Sequence, residues 1–99
     1  MYARMLKIQT AVDQIDAAAM LLEESVIPLC KNLKGFKGGQ FLADSKTGNG
    51  LILTFWESEE DMHASEKSRF FQDQVTKFIG FFTSPPLREA YEVILFDVD

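Results

Sequence analysis

His63 is the only histidine of this 99-residue chain, and Cys30 is its only cysteine. Those two counts bound the chemistry available. Histidine is the side chain whose ordinary pKa lies nearest neutrality, so His63 is the natural candidate for a proton acceptor. A thiol becomes nucleophilic beside a base or a tight group of cations, and no histidine or tight basic cluster stands beside Cys30 in the chain. Cys30 is therefore expected to pack in a helix as a small hydrophobe. One histidine and no evident partner give no Ser-His or Cys-His pair. No cluster of His, Cys and Asp has metal-ligand spacing, and no Gly-x-Gly-x-x-Gly marks a nicotinamide or flavin site. The sequence calls for no cofactor and no metal.

Composition narrows the partners. A net charge of -5 argues against nucleic acid, because binding phosphates requires a basic face. Lys31, Lys34 and Lys37 cluster near a predicted helix end, where cations complement the helix dipole. A lone cysteine forms no intrachain disulfide and suits a reducing compartment. Met1 to Thr10 lacks the apolar core and small-residue cleavage site of a signal peptide. No run approaches the roughly 20 apolar residues of a membrane span. The expectation is a soluble, cytoplasmic protein with one domain over residues 1–99.

The elements that must position any site follow from periodicity. Residues 2–9 predict a first strand with Tyr2, Arg4, Leu6 and Ile8 on one side. Thr10-Ala11-Val12-Asp13 matches a capping box opening a helix. Ile15, Ala19, Leu22, Val26, Leu29 and Leu33 then form a single stripe at helical spacing. Pro28 removes a hydrogen bond to Glu24, which predicts a bend near residues 24–28 and a stop at Asn32 to Gly35. Phe36 to Asp44 reads as a second strand, with Gly38 and Gly39 marking a bulge or an edge. Turn residues 45–50 make a hairpin with the third strand, Leu51 to Trp56. Ser58-Glu59-Glu60-Asp61 opens a second helix, whose Phe71, Val75, Phe78 and Phe82 recur at helical spacing. Met62 is half a turn out of phase with Phe71, so a break is expected around Glu66 to Arg69. Thr83 to Pro86 ends that helix, and residues 88–98 complete the sheet. The order βαββαβ is ferredoxin-like: α+β, with a four-stranded antiparallel sheet.

Both faces of that sheet read apolar. Leu51, Leu53 and Phe55 alternate with Ile52, Thr54 and Trp56, and Tyr91, Val93 and Leu95 alternate with Ile94, Phe96 and Val98. One layer of helices covers one face only, whereas an exposed face normally reads polar. The expected cover is a second copy of the chain, giving a homodimer packed sheet against sheet.

The stretch from Val26-Ile27-Pro28-Leu29 through Gly35-Phe36 and Asp44 to Gly48, ending in Leu53-Thr54-Phe55-Trp56-Glu57-Ser58-Glu59-Glu60, resembles the antibiotic biosynthesis monooxygenase-like family. The resemblance implies a dimeric α+β barrel of two ferredoxin-like sheets. It also implies that Trp56 faces a pocket between sheet and helices; the alternative is a tryptophan that only packs the sheet against the second helix. The pocket expected beside it is lined by Trp56, Thr54, Phe71, Val75 and Phe78, with Arg4 or Tyr2, and suits a planar apolar ligand. Cofactor-free oxygenases of this fold oxidise electron-rich aromatics whose own carbanion reacts with oxygen. The protein need only accept a proton and stabilise the anion, for which His63 and Arg4 are the candidates. His63 reads either as a group at the pocket mouth or as a surface histidine. Haem-degrading relatives carry an axial histidine in the second half of this helix and an asparagine in the first strand. Neither is present here, and the position where many relatives have a histidine early in the helix is Ser65. The two functional readings are a cofactor-independent oxygenase of a small aromatic or polyketide-like compound, and a non-catalytic barrel that binds an apolar ligand or serves a structural role.

Overall fold

A computed structural model describes residues 1–67 and 69–98 of the chain. Strand β1 (Tyr2–Gln9) leads into a short 3-10 turn (Val12–Gln14) and helix α1 (Ile15–Leu21). A π-helical segment (Leu22–Val26) joins α1 to α2 (Ile27–Cys30). Strands β2 (Phe36–Ala43) and β3 (Asn49–Trp56) form the hairpin, followed by α3 (Glu59–Lys67) and α4 (Phe70–Lys77). A second 3-10 turn (Ile79–Phe81) precedes β4 (Leu87–Glu92). The sheet is antiparallel with order β2-β3-β1-β4, the ferredoxin-like arrangement.

Register explains which side chains share the helix-covered face. Arg4 stands opposite Thr54 on β3 and Ala90 on β4, while Leu6 stands opposite Ile52 and Arg88. Leu6, Ile8, Ile52 and Phe78 join Ala18, Leu22, Val26 and Cys30 in the buried core. The anticipated bulge lies between Phe36 and Gly38 on β2, an edge strand. The expected interruption of the second helix is also present: α3 ends at Lys67, and Arg69 takes φ 66° before α4.

The first helix departs from its predicted form. Thr10 does not cap it; its backbone N–H donates to Gly48 O (2.8 Å) and it bridges Phe82. Gly48 has φ 81°, and a side chain there would collide with the Thr10 carbonyl, so glycine is required. Ala19 and Leu29, expected on the buried stripe, are exposed. Instead Ala18, Leu22, Val26 and Cys30 are buried, four residues apart. In a regular α-helix such spacing drifts by about 40° per step. The wider π turn, where the Ile27 N–H reaches back to Leu22 O, restores the alignment. Pro28 follows directly and explains the site of that distortion, since it cannot donate to Glu24.

The second helix stops at Lys77, short of Thr83, because the 3-10 turn carries Phe81 to accept the Ala11 N–H (2.9 Å). The final strand is also shorter than residues 88–98. Glu92 pairs with Tyr2, where β1 begins, and the Val93 N–H donates to Met1 O (2.8 Å). Beyond that point no strand remains to pair, so residues 94–98 leave the sheet. Ile94 and Leu95 are 84% and 83% exposed, so their alternation does not define two sheet faces. Phe96 alone returns, meeting Phe55 edge-on with centroids 5.7 Å apart.

Candidate functional site

Side chains of β1, β3, the first helical stretch and α4 enclose a cavity of about 60 Å³. Its walls include Arg4, Thr54, Trp56, Phe71, Val75 and Phe78, all named from the sequence and brought together by the fold. Tyr2 is not among the lining residues. Trp56 is 3% exposed. Its indole N–H donates to Thr54 Oγ1 (3.0 Å), two residues back on the same strand face, and Phe36 meets it edge-on at 5.3 Å. Trp56 thus packs the sheet and also forms a cavity wall.

Sequence reasoning missed Gln74, Ser65, Phe70 and Cys30, which complete much of the lining. For Gln74 a signal existed: it lies three residues after Phe71 and four before Phe78, on the same helical face. Ser65 is satisfied internally, donating to Met62 O (2.7 Å). Two polar atoms are not. Arg4 Nε and Gln74 Oε1 are buried with no hydrogen-bond partner among the described residues. Leaving a buried donor or acceptor unpaired costs about 1–3 kcal/mol, and such groups in an otherwise apolar wall are typical of binding sites. Arg4 and Gln74 thus place one unpaired donor and one unpaired acceptor in the cavity wall, both atoms covered rather than open to the void.

His63 lies outside this cavity, on α3, in a separate cleft with Arg4, Glu66, Lys67 and Arg88. Its side chain is 52% exposed. His63 Nδ1 is 3.5 Å from Glu66 Oε1, and Glu66 is only 14% exposed. The same Oε1 accepts from Arg4 Nη2 at 2.5 Å, while Oε2 forms an ion pair with Arg88 Nη1 at 3.0 Å. Glu66 thus links His63 to Arg4, and Arg4 stands in the wall shared by cleft and cavity.

Cys30 faces the cavity, and burial pushes its thiol up to about 11, only partly offset by the positive charge of Lys77. It is a neutral thiol at physiological pH, as its packing role requires. Among the described residues no group of three or more His, Cys, Asp or Glu could hold a metal. Haem is no better suited, because the lining has no histidine and its one sulfur ligand is protonated. No helix of the described residues is long and apolar enough to cross a membrane.

Comparisons with known proteins agree with this architecture. The monooxygenase from the gene ActVA-Orf6 of Streptomyces coelicolor, in complex with nanaomycin D, superposes with a TM-score of 0.73 at 13% identity, covering 99% of this chain and 91% of that one. The haem-degrader MhuD of Mycobacterium tuberculosis, with two haems in its active site, gives 0.72 at 20% identity and full coverage of both chains. A protein of unknown function from Nitrosomonas europaea gives 0.72 at 18%, covering 99% and 93%. At such identities the likeness establishes the fold alone. In sequence, an uncharacterized protein of Mycobacterium tuberculosis is 29% identical over 93 residues, which are 93% of this chain and 40% of that protein. The chain thus spans about two-fifths of the length of the curated relatives it matches. A family model for antibiotic biosynthesis monooxygenase matches residues 1–77, from β1 through α4 and so through every element that walls the cavity. The chain belongs to the antibiotic biosynthesis monooxygenase family.

Proposed function

We propose that this protein binds a planar, oxygen-bearing aromatic compound in the cavity beside Trp56 and oxygenates it without a cofactor. The observation that carries the reading is the apolar cavity with two unpaired polar atoms, Arg4 Nε and Gln74 Oε1. A ring matches the apolar walls, and the void of about 60 Å³ must widen to admit it, since benzene needs roughly 150 Å³. That movement would bring a ring oxygen to Arg4 and a hydroxyl to Gln74. Nanaomycin D on the Streptomyces monooxygenase and haem on MhuD are precedents for ligands on this fold.

In the proposed step, a substrate hydroxyl gives up its proton and the anion is held by the Arg4 guanidinium. That proton is released to solvent before the ring is enclosed, since neither Glu66 nor His63 lines the cavity. Glu66 Oε1, itself 3.5 Å from His63 Nδ1, accepts from Arg4 Nη2 and fixes the guanidinium. Oxygen then takes four electrons from the substrate. One oxygen atom enters the ring, the other leaves as water, and a phenol becomes a quinone. Each quinone should therefore appear with one O2 consumed. Arg4→Gln is expected to lower kcat by about 10²–10³, measured with an oxygen electrode on a panel of hydroxynaphthalenes. Saturable binding of those compounds without oxygen uptake would instead favour the non-catalytic reading, to which the half-exposed position of His63 outside the cavity lends support.

The reading includes a homodimer. Opposite the helices, Leu51, Leu53 and Phe55 are half-buried, while Leu42, Leu87 and Tyr91 are exposed, all apolar positions on one uncovered sheet face. The tail adds Phe96, which meets Phe55 on that face, and exposed Ile94, Leu95 and Val98 flank it in sequence. The face also carries the Lys7–Glu89 pair (3.3 Å), but apolar side chains predominate on it, and a soluble monomer seldom exposes such a face. A second copy presents the same apolar chemistry about a twofold axis, which closes the assembly into a barrel.

Haem is expected not to bind tightly. Titration with haemin should give no sharp Soret shift at one equivalent. A stoichiometric, histidine-ligated spectrum lost in His63→Ala would contradict that expectation and reassign His63.

A further inference from the structure

The cleft beside the cavity has more positive charge than its own carboxylate can use. Arg4, Lys67 and Arg88 surround the single carboxylate of Glu66, on a chain whose net charge is -5. Glu66 touches each arginine through one nitrogen only, Arg4 through Nη2 and Arg88 through Nη1. Two guanidiniums offer roughly ten N–H donors, so most remain free, and Arg4 Nε is buried without any partner among the described residues. Two other acids, Glu59 and Glu89, are engaged elsewhere, and Glu92, further along the same face of β4, stands opposite Tyr2. Glu59 lies 3.8 Å from His63 on the solvent side. Glu89 is committed to Lys7 (3.3 Å) and the Tyr91 hydroxyl (2.6 Å). Its strand position, between Arg88 and Ala90, places it on the opposite sheet face.

Register places this charge at the end of the aromatic wall. Arg88 and Ala90 are two residues apart on β4, so they share the helix-covered face with Leu6 and Arg4, their partners on β1. Ala90 opposite Arg4 leaves room there that a larger side chain would take. The Arg88 guanidinium lies 5.1 Å from the centroid of the Phe71 ring, a cavity-lining side chain, in a cation–π contact. Cavity and cleft share Arg4 and adjoin at the Phe71–Arg88 contact, so a ring against Phe71 has the charges of the cleft beside it.

We infer that the ligand of this cavity is an aromatic anion, its carboxylate held in the adjoining cleft by Arg88 and Lys67 alongside Glu66. This rests on the proposed cavity reading and names its ligand class. Arg4 stabilises the buried end of the ligand, and Arg88 with Lys67 selects for charge on entry. Charge-assisted hydrogen bonds to guanidinium are about twice as strong as neutral ones, so a carboxylate outcompetes a neutral amide of the same shape.

The test is calorimetric titration of 2-naphthoate and of the neutral 2-naphthamide into the wild-type protein, Arg88→Gln and Arg88→Lys. The expected result is about tenfold tighter binding of naphthoate, lost in Arg88→Gln and partly kept in Arg88→Lys, with naphthamide affinity unchanged throughout. Because Arg88 is half-exposed on an edge strand, the variants should fold, which circular dichroism verifies. A wild-type titration in 0.5 M salt (roughly a 4 Å screening length) is a second reading, weakening naphthoate alone. Equal affinities for the two compounds would overturn the anion inference and leave the cavity reading standing. So would a naphthoate advantage that survives both Arg88→Gln and salt. Binding of neither compound would overturn both.

Discussion

Trp56→Ala is expected to lower the unfolding free energy by about 3–5 kcal/mol, the usual cost of truncating a buried tryptophan. Trp56 is 3% exposed, abuts Phe36 edge-on and donates its indole N–H to Thr54 Oγ1, so the truncation removes apolar area, an aromatic contact and a hydrogen bond together. It also enlarges a cavity already present in its wall. For a domain of this size such a loss consumes a large part of the total stability. Urea denaturation should show the midpoint falling. Trp56→Phe retains most of the packing and should cost under half as much, losing mainly the hydrogen bond. A Trp56→Ala variant within 1 kcal/mol of wild type (about one-third of the low estimate) would mean the indole is not packed as described.

The second large effect is expected at Leu53. Its side chain lies on the sheet face away from the helices, in register with Met5 on β1 and Gln40 on β2. The core beneath the helices does not include it. Leu53→Asp should therefore leave the subunit folded but weaken self-association by about thirtyfold or more, since an unpaired charge in a buried interface costs about 2–5 kcal/mol. Sedimentation should then find a particle of 11.2 kDa in place of one twice that mass. Leu95→Asp should act in the same direction, because Leu95 is 83% exposed and makes no use of its apolar surface within its own chain. A wild-type protein that sediments as a monomer at micromolar concentration would contradict the dimer.

Local periodicity carried the parts of the fold that are locally determined. The alternation of residues 2–9, the paired glycines of β2 and the phase jump between Met62 and Phe71 each mark a feature that the backbone expresses directly. Features set by distant partners were not legible. Thr10 has the residue type of a cap, but Phe82 and Gly48 claim its backbone for the sheet. The last strand has the alternation of eleven residues, yet β1 can pair only as far as Tyr2. On the first helix Leu22 and Val26 are buried as their spacing predicts, but Ala18 and Cys30 take the places expected for Ala19 and Leu29, the π turn before Pro28 having changed the helical repeat.

The site divides in the same way. Trp56, Thr54, Phe71, Val75, Phe78 and Arg4 were legible because strand parity and helical spacing put them on one side. His63 was not placed by its spacing, because α3 turns that residue toward the cleft and solvent. Glu66 and Arg88 escaped notice for a plainer reason. Their roles arise only where β4 lies against β1, and nothing within fifteen residues of either discloses that pairing.

The central claim, a cavity beside Trp56 that accepts a planar aromatic ligand, has one direct test. Trp56 is the only tryptophan, so the amide spectrum of the 15N-labelled protein contains a single indole N–H resonance. Titration with 2-naphthol should move that resonance saturably, at one ligand per chain, because a ring within the cavity imposes its ring current on the indole. An indole resonance that stays fixed while the ligand saturates elsewhere, or one that drifts without saturating, would contradict the account.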